Sequence, residues 1–386
     1  MATAEAKLDL SSNANEILLN PRWPVQDYAN LENLALWAQE KENLRGHVWL
    51  ATSGSTADSI GATKLVALAK HALQASAEAV NKHLQSTAED VWTQVLPHYH
   101  VGGLGIELRA QLSGAKVVSA LRNQRWDALY FYEILKQEKC TLSALVPTQI
   151  YDLVGLNLQA PTHLRAVVVG GGVFELELYK KARALGWPVL PSYGMTETAS
   201  QIATASLASL QQMDYPEMPL LPHAQARTNA EGFLQVQATS LFSFYAQNTS
   251  EGPKVWDPKK GGWFQTEDRG EVVAGSLFVQ GRSKDYIKIG GEGVNLARLR
   301  SALEQCLLKY DAKKMSQIVL LDMASERLGA EVHLVSTLPE SETLALQRMY
   351  EEQVLPFEKI RKIHYVKEIP RNDLGKVLWS SLRSQL

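Results

Sequence analysis

The stretch RAVVVGGGVFELELYKKARALGWPVLPSYGMTETASQIAT, residues 165–204, decides the fold. An apolar run ends in glycines at 170–172, and a helical pattern follows from about Glu175 to Leu185. A second apolar run then ends at Tyr193 and Gly194. Strand, glycine turn, helix and strand make a βαβ unit, which implies a parallel sheet. The same texture extends upstream. HVWLAT (47–52) and DVWTQVLP (90–97) read as strands, and KVVSA (116–120) and TLSALVP (141–147) as short buried ones. Helical patterns fill the gaps: Leu31–Gln39 is amphipathic, Thr63–Gln85 reads as one long helix, and another helix lies around Trp126–Glu138.

From Ala230 the texture changes. GFLQVQA and EVVAGSLFVQG read as short antiparallel strands, and a boundary falls near Gly281–Asp285. Beyond it comes an independent pattern of its own: a helix at Leu296–Lys309, strands QIVLLDM and EVHLVST, a helix at Glu340–Val354, strand IHYVKEI, a polar loop and a last helix. The expected class is α/β. A large N-terminal lobe, residues 1–282, holds parallel-type sheets with helices plus a β-rich subdomain. A small mobile α+β C-terminal domain covers residues 283–386.

Bulk properties exclude several functions. A net charge of -2 gives no electrostatic footprint for nucleic acid. The start has no signal-peptide pattern, and no apolar run reaches the roughly 18–20 residues that span a bilayer. Cys140 and Cys306 have no metal-ligand spacing and fit a reducing cytosol, so a cytoplasmic location is expected.

Five segments carry chemistry. In HVWLATSGSTADSIGATKLVAL (47–68) a strand feeds a loop of small hydroxyl residues and glycines, where backbone N–H groups can surround phosphate oxygens. Ser53, Ser55 and Thr56 add donors and Lys64 adds charge; the plainer alternative is a flexible turn. In PVLPSYGMTETASQIAT (188–204), Tyr193 can stack a flat base, Thr196 can donate to a phosphate, and Glu197 can hold Mg²⁺ through oxygen. The alternative is an ordinary helix N-cap at Thr196 or Thr198. In GGWFQTEDRGEV (261–272), Asp268 lies in a turn after an aromatic strand and could accept from both hydroxyls of a ribose; an Asx-turn is the alternative. In VQGRSKDYIKIGGEGVNLARLR (279–300), Arg282 offers a planar fork of donors and Lys284 sits where a hinge would be; the alternative is a charged linker. In EIPRNDLGKVLWSSL (368–382), Lys376 follows a polar turn and precedes a helix, as many solvated lysines do.

Taken in this order over residues 48–382, the five segments resemble the adenylate-forming superfamily of acyl-CoA ligases, luciferases and adenylation domains. LPHYHVGGLGIELRAQLSGAKVV (96–118), SALVPTQIYDLV (143–154) and SYGMTETASQIAT look most like the small aryl-CoA ligases that act on o-succinylbenzoate. The resemblance implies an AMP-forming acid–thiol ligase using ATP, Mg²⁺ and coenzyme A. Thr52, Ser53, Gly54, Ser55 and Thr56 would cover the β,γ-phosphates. Gly171, Gly172, Tyr193 and Gly194 would line the adenine, with Thr196 at the α-phosphate and Glu197 on the metal. Asp268 and Arg282 would hold the ribose. Lys284 would be the hinge, and Lys376 the lysine of the adenylation step. Lys288 would face the site for thioester formation, and His100 would stand at the acyl-pocket wall.

There are departures from the family pattern. The loop after Thr56 lacks the usual glycine and proline, Glu267 replaces the usual glycine before Asp268, and the segment ahead of the phosphate loop is short. An N-terminal subdomain is therefore expected to be pared down. Other readings are a ligase for another aryl or fatty acid, or a degenerate nucleotide-binding relative. Pro97–Gly105, with His98, Tyr99 and His100, is polar enough for an aromatic or dicarboxylic acid. The expected partners are small molecules, not nucleic acid or membrane, with a homodimer as the expected assembly.

Overall fold

The computed structural model describes residues 8–52, 63–282, 285–289, 292–325, 327–373 and 375–386. Its centre is a sheet in which Lys116–Ser119, Val91–Gln94, Leu142–Leu145, Ala166–Val169, Val189–Met195 and Ser200–Thr204 lie side by side in that order. The first five are parallel, and Ser200–Thr204 returns antiparallel. Leu142–Leu145 and Ala166–Val169 are buried throughout, as inner parallel strands covered on both faces must be. Trp92, Phe131, Tyr179 and Trp187 fill the core around them. Lys116–Ser119 departs from the expectation of a buried strand. It is the sheet's edge and mostly exposed, and a short apolar run does not reveal which position its strand takes.

A second sheet places Glu16–Leu18, His47–Ala51, Leu65–Ala69, Phe244–Thr249 and Gly252–Trp256 in order. Here the single helix expected over Thr63–Gln85 is corrected. Leu65–Ala69 is a strand paired with both His47–Ala51 and Phe244–Thr249, and only Lys70–Leu84 is helical. The run LVALA is buried at every position, so its pattern fits a buried strand and a buried helix equally. Partners distant in sequence decide the matter. The helix then starts on Lys70, whose buried ammonium donates to Asp9 O at 2.8 Å and Glu16 Oε1 at 3.0 Å.

The third sheet is antiparallel and combines Met218–Pro219, Ser276–Arg282, Phe264–Val273, Phe233–Ala238 and Ala224–Thr228. Asp268 lies inside Phe264–Val273, not in a turn. Its amide donates to Thr266 Oγ1 at 3.1 Å while Thr266 Oγ1 donates to Leu234 O, so the threonine side chain ties a bulge of the strand to its neighbour where a turn was expected.

Beyond residue 285, the hairpin Tyr286–Ile289/Glu292–Asn295 and the sheet Ile318–Ser325, Gly329–Ser336, Ile360–Tyr365 pack with the helices Leu296–Tyr310 and Glu340–Glu351. Leu299, Leu303, Leu320, Val332, Leu334 and Leu346 form a core separate from that of the parallel sheet. Among the described residues no helix is long and apolar enough to cross a membrane.

Helix Leu296–Tyr310 also faces the rest of the chain. Ser301 Oγ donates to Glu175 Oε2 at 2.6 Å, and Lys181 Nζ donates to Leu308 O at 2.9 Å. Burial and the neighbouring Glu175 push the Glu304 carboxyl up from 4.5 to about 7. An acid whose folded value is raised binds its proton more tightly when folded. Its stabilising contribution is complete below about pH 4.5 and is lost as pH rises through about 7. Glu304→Gln is therefore expected to be more stable than the parent at pH 8, by about 1–3 kcal/mol, and equal to it at pH 4. Denaturant midpoints across that range measure this; a gain that persists at pH 4 would refute the assignment.

Candidate active site

The loops that leave the carboxyl ends of the parallel strands share one edge of the sheet, where open α/β sheets bind their ligands. Ala166–Val169 exits into Gly170, Gly171 and Gly172. Gly171 has φ +76°, and Gly171 and Gly172 are both exposed. The neighbouring strand Val189–Met195 carries Tyr193, whose hydroxyl donates to Asp268 Oδ2 at 2.6 Å. Asp268 pairs across the ladder with Arg282. Three of the sequence-predicted residues, Tyr193, Asp268 and Arg282, thus converge from two sheets, Arg282 by its backbone position.

Gly194 is set by close backbone approach. A Cβ there would lie 2.0 Å from Ser200 O and 2.7 Å from Gln201 Cα. The strand runs on to Met195 instead of ending at Gly194, and a single 3₁₀ turn, Thr196–Thr198, reverses it. No helix starts here, so Thr196 and Thr198 are not helix caps. Thr198 Oγ1 accepts from Met195 N at 3.0 Å and donates to Ser200 O at 2.6 Å, which pins the reversal. Ser200 takes φ +105°, a strained value for a residue with a side chain. Gly194→Ala is expected to cost about 2–4 kcal/mol and to abolish nucleotide binding, because the two strands must part. Thermal unfolding and ATP titration check this; a variant that binds ATP normally would contradict it.

Glu197 lies within the turn. Tyr245, a strand residue that the sequence reading missed, donates from its hydroxyl to Glu197 Oε1 at 2.7 Å. Burial and the Glu197 carboxylate push the Tyr245 phenol well above its usual range, so it remains a donor. Lys64 Nζ lies 4.0 Å from the centre of the Tyr245 ring, and Thr52 N donates to Lys64 O at 3.0 Å. Lys64 therefore does reach the neighbourhood of Glu197, despite its altered spacing. Ser53, Gly54, Ser55 and Thr56 lie outside the described residues, as does Lys284. Lys288 lies in strand Tyr286–Ile289; its side chain, like that of Arg282, is outside the description.

Lys376 closes a tight hairpin. Asn372 N donates to Lys376 O at 2.8 Å, Lys376 N donates to Asn372 Oδ1 at 2.9 Å, and Arg371 Nη1 donates to Gly375 O at 2.8 Å. Gly375 has φ +73°, and a Cβ there would meet Thr148 Oγ1 at 3.0 Å, so the hairpin tip rests on the first turn of helix Pro147–Gly155, which follows Leu142–Leu145. His100 is close enough to Lys376 and Asp373 to feel both charges. Burial above all, then the Lys376 and Arg22 cations, lower its imidazole to about 4, and it is neutral at pH 7. The structure thus brings His100 and Lys376 together.

His100 also precedes helix Val101–Ser113, which the sequence reading did not foresee because of its paired glycines. Gly103 is required there: a Cβ would lie 2.2 Å from Pro97 O. This helix carries the second missed residue. Arg109 is fully buried, 5.8 Å from the centre of the Trp92 ring; Nη2 donates to Ser200 Oγ at 2.8 Å, while Nε and Nη1 have no hydrogen-bond partner among the described residues. Burial lowers it to about 10, so the guanidinium stays charged at neutral pH. An arginine directly after the glycine-rich run GLGIEL (103–108) was the available signal.

Residues 35–229 match the family of AMP-binding enzymes, about half of the chain, and the chain belongs to that family. It is 28% identical over 337 residues to a 2-succinylbenzoate–CoA ligase of Bacillus licheniformis, covering 85% of this chain and 67% of that protein. It is 27% identical over 351 residues to an indoleacetate–CoA ligase of Aromatoleum aromaticum, covering 86% and 66%. Among solved structures it resembles the o-succinylbenzoate CoA synthetase of Bacillus subtilis in complex with the acyl-adenylate intermediate. That match has a TM-score of 0.73 at 22% identity, over 96% of this chain and 88% of the other. The expected fold class is confirmed: a large α/β lobe with a β-rich part and a smaller C-terminal unit.

Proposed function

We propose that this AMP-forming ligase converts o-succinylbenzoate to its coenzyme A thioester through an acyl-adenylate. One observation carries the reading. The Tyr193–Asp268 pair and the open glycines 171–172 lie at the strand ends, and the Lys376 hairpin docks on that same rim. The two relatives named above are both acid–CoA ligases, which supports the thiol as second substrate.

The chemistry follows from leaving groups. A carboxylate cannot expel oxide, so its oxygen attacks the α-phosphorus of ATP, releases pyrophosphate and leaves a mixed anhydride. A coenzyme A thiolate then attacks the acyl carbon and expels AMP. Tyr193, Gly171, Gly172 and Gly194 form the adenine wall; Asp268 and Arg282 take the ribose. Thr196 donates at the α-phosphate, and Thr52 to Thr56 close on the distal phosphates. Among the described residues no cluster of three or more His, Cys, Asp or Glu is gathered for a resident metal. Glu197, oriented by Tyr245, would hold Mg²⁺, which would supply positive charge to offset that of the phosphates.

The reading divides the chain at residues 282 and 283, with Lys284 as the pivot that exchanges Lys376 for Lys288 between half-reactions. Arg109 is assigned to the second carboxylate of a dicarboxylic acid. The buried, unpaired Cys140 and Cys306 suit a cytoplasmic enzyme. A homodimer is the assembly in this reading, and sedimentation tests it. The deciding experiment is ATP–pyrophosphate exchange with a panel of o-succinylbenzoate, indoleacetate, benzoate and a fatty acid. The first is expected to dominate. Exchange with none of them would end the enzymatic reading, and dominance of another acid would end the substrate assignment.

A further inference from the structure

One carboxylate ties the Lys376 hairpin to the amino-terminal lobe. Asp373 Oδ2 accepts from Asn20 Nδ2 at 2.6 Å and from Tyr99 Oη at 2.9 Å, and Oδ1 pairs with Arg22 Nη2 at 2.9 Å. Arg22 Nη2 also donates to Tyr99 Oη at 2.7 Å, so Arg22, Tyr99 and Asp373 close a ring. These groups come from three distant places: the turn before helix Val25–Lys41, the exit of strand Val91–Gln94, and the carboxyl-terminal hairpin. The function proposed above assigns them no task.

We propose that Arg22, Tyr99 and Asn20 form a latch for Asp373 that fixes Lys376 over the reacting carboxylate during adenylation and releases it before thiol attack. Asp373 is then a positioning residue, acting through Lys376. This inference rests on the two-step reaction proposed above.

Two features of the geometry carry it. Asp373 and Lys376 belong to one turn whose ends are bonded to each other, since Asn372 N donates to Lys376 O and Gly375 N donates to Asn372 O. Holding the carboxylate therefore holds the lysine's backbone. Second, the latch is polar and half-wet: the Arg22 and Asp373 side chains are 39% and 24% exposed. Water can replace each partner on opening, so the latch can break and remake within a catalytic cycle, which a dry buried ion pair could not do without a large desolvation penalty. His100 sits beside the ring and is neutral, so it adds no charge that would compete for Asp373.

The test uses the full chain and measures the half-reactions separately. Asp373→Ala and Arg22→Ala are expected to lower kcat for ATP–pyrophosphate exchange about 10- to 100-fold, with little change in KM for the acid. Thioester formation from supplied acyl-adenylate should be unchanged or faster. The charge-swapped double variant, Arg22→Asp with Asp373→Arg, should recover part of the exchange activity. A role confined to folding would slow both half-reactions together and would not be rescued by the swap; that outcome, or no loss in either half-reaction, overturns the latch. Amide hydrogen exchange gives a readout independent of activity. Arg22→Ala should speed exchange at Asn372, Gly375 and Lys376, and unchanged protection there also overturns it. Failure of the underlying reading looks different: the parent chain itself shows no pyrophosphate exchange, while the amide measurement still judges the latch.

Discussion

Lys376→Ala is expected to lower ATP–pyrophosphate exchange by about 100- to 1,000-fold, the usual loss when one preorganised donor to developing negative charge is removed. Thioester formation from supplied acyl-adenylate should survive. The reason is geometric. Lys376 closes a hairpin whose tip rests on Thr148, next to the strand ends that present Tyr193 and Gly171. From there an ammonium can offset charge on the bridging oxygens as pyrophosphate departs. Once the anhydride exists, that charge has left, and the second step needs a different group near the acyl carbon. Lys376→Arg should restore only part of the rate, because a broad fork does not replace a compact charge. Single-turnover assays of each half-reaction decide the matter, and equal losses in both would rule out a role restricted to adenylation.

Arg109→Met has the second large expected effect, with opposite signs for stability and activity. The guanidinium is fully buried, among the described residues it hydrogen-bonds only Ser200 Oγ, and burial alone depresses it. A buried cation without an anion is unfavourable, and an apolar side chain of similar length in its place is expected to stabilise the fold by about 1–3 kcal/mol. In the function proposed above, the acid's second carboxylate completes it. For a dicarboxylic acid, KM should rise by about 100-fold or more, the loss expected when a buried charged hydrogen-bond partner is removed, while KM for ATP stays put. A monocarboxylic aryl acid should lose little. Denaturant midpoints and a comparison of the two acids read both halves of the prediction. A variant that is less stable and equally impaired with both acids would show that Arg109 serves packing only.

How much was legible follows from which interactions are local. The strand–glycine–helix–strand texture of residues 165–204 is written in nearest neighbours, and the parallel sheet appeared where that texture placed it. Gly171, Tyr193 and Asp268 were legible as candidates because their residue types have few uses in such loops. The run Leu65–Ala69 resists reading because its pattern is the same for a buried strand and a buried helix, and its partners His47–Ala51 and Phe244–Ala246 are not its neighbours in sequence. Asp268 reads as a turn residue because Thr-Glu-Asp is turn-like, whereas Thr266 bonds across to Leu234 and the segment stays in the ladder as a bulge. Tyr245 gave no local sign at all: a tyrosine in a strand becomes part of a site only when its hydroxyl lands on Glu197, far along the chain.

By itself, then, the order of residues determined the alternation of strands and helices, the glycines and hydroxyls at strand ends, and the separate pattern beyond residue 285, because these rest on backbone propensity and periodicity. Tertiary structure alone decided that Arg109 is a buried cation, that Tyr245 orients Glu197, and that Asp373 meets Arg22 and Tyr99. Each of those depends on burial or on contact between distant segments, and neither quantity exists until the chain has closed on itself.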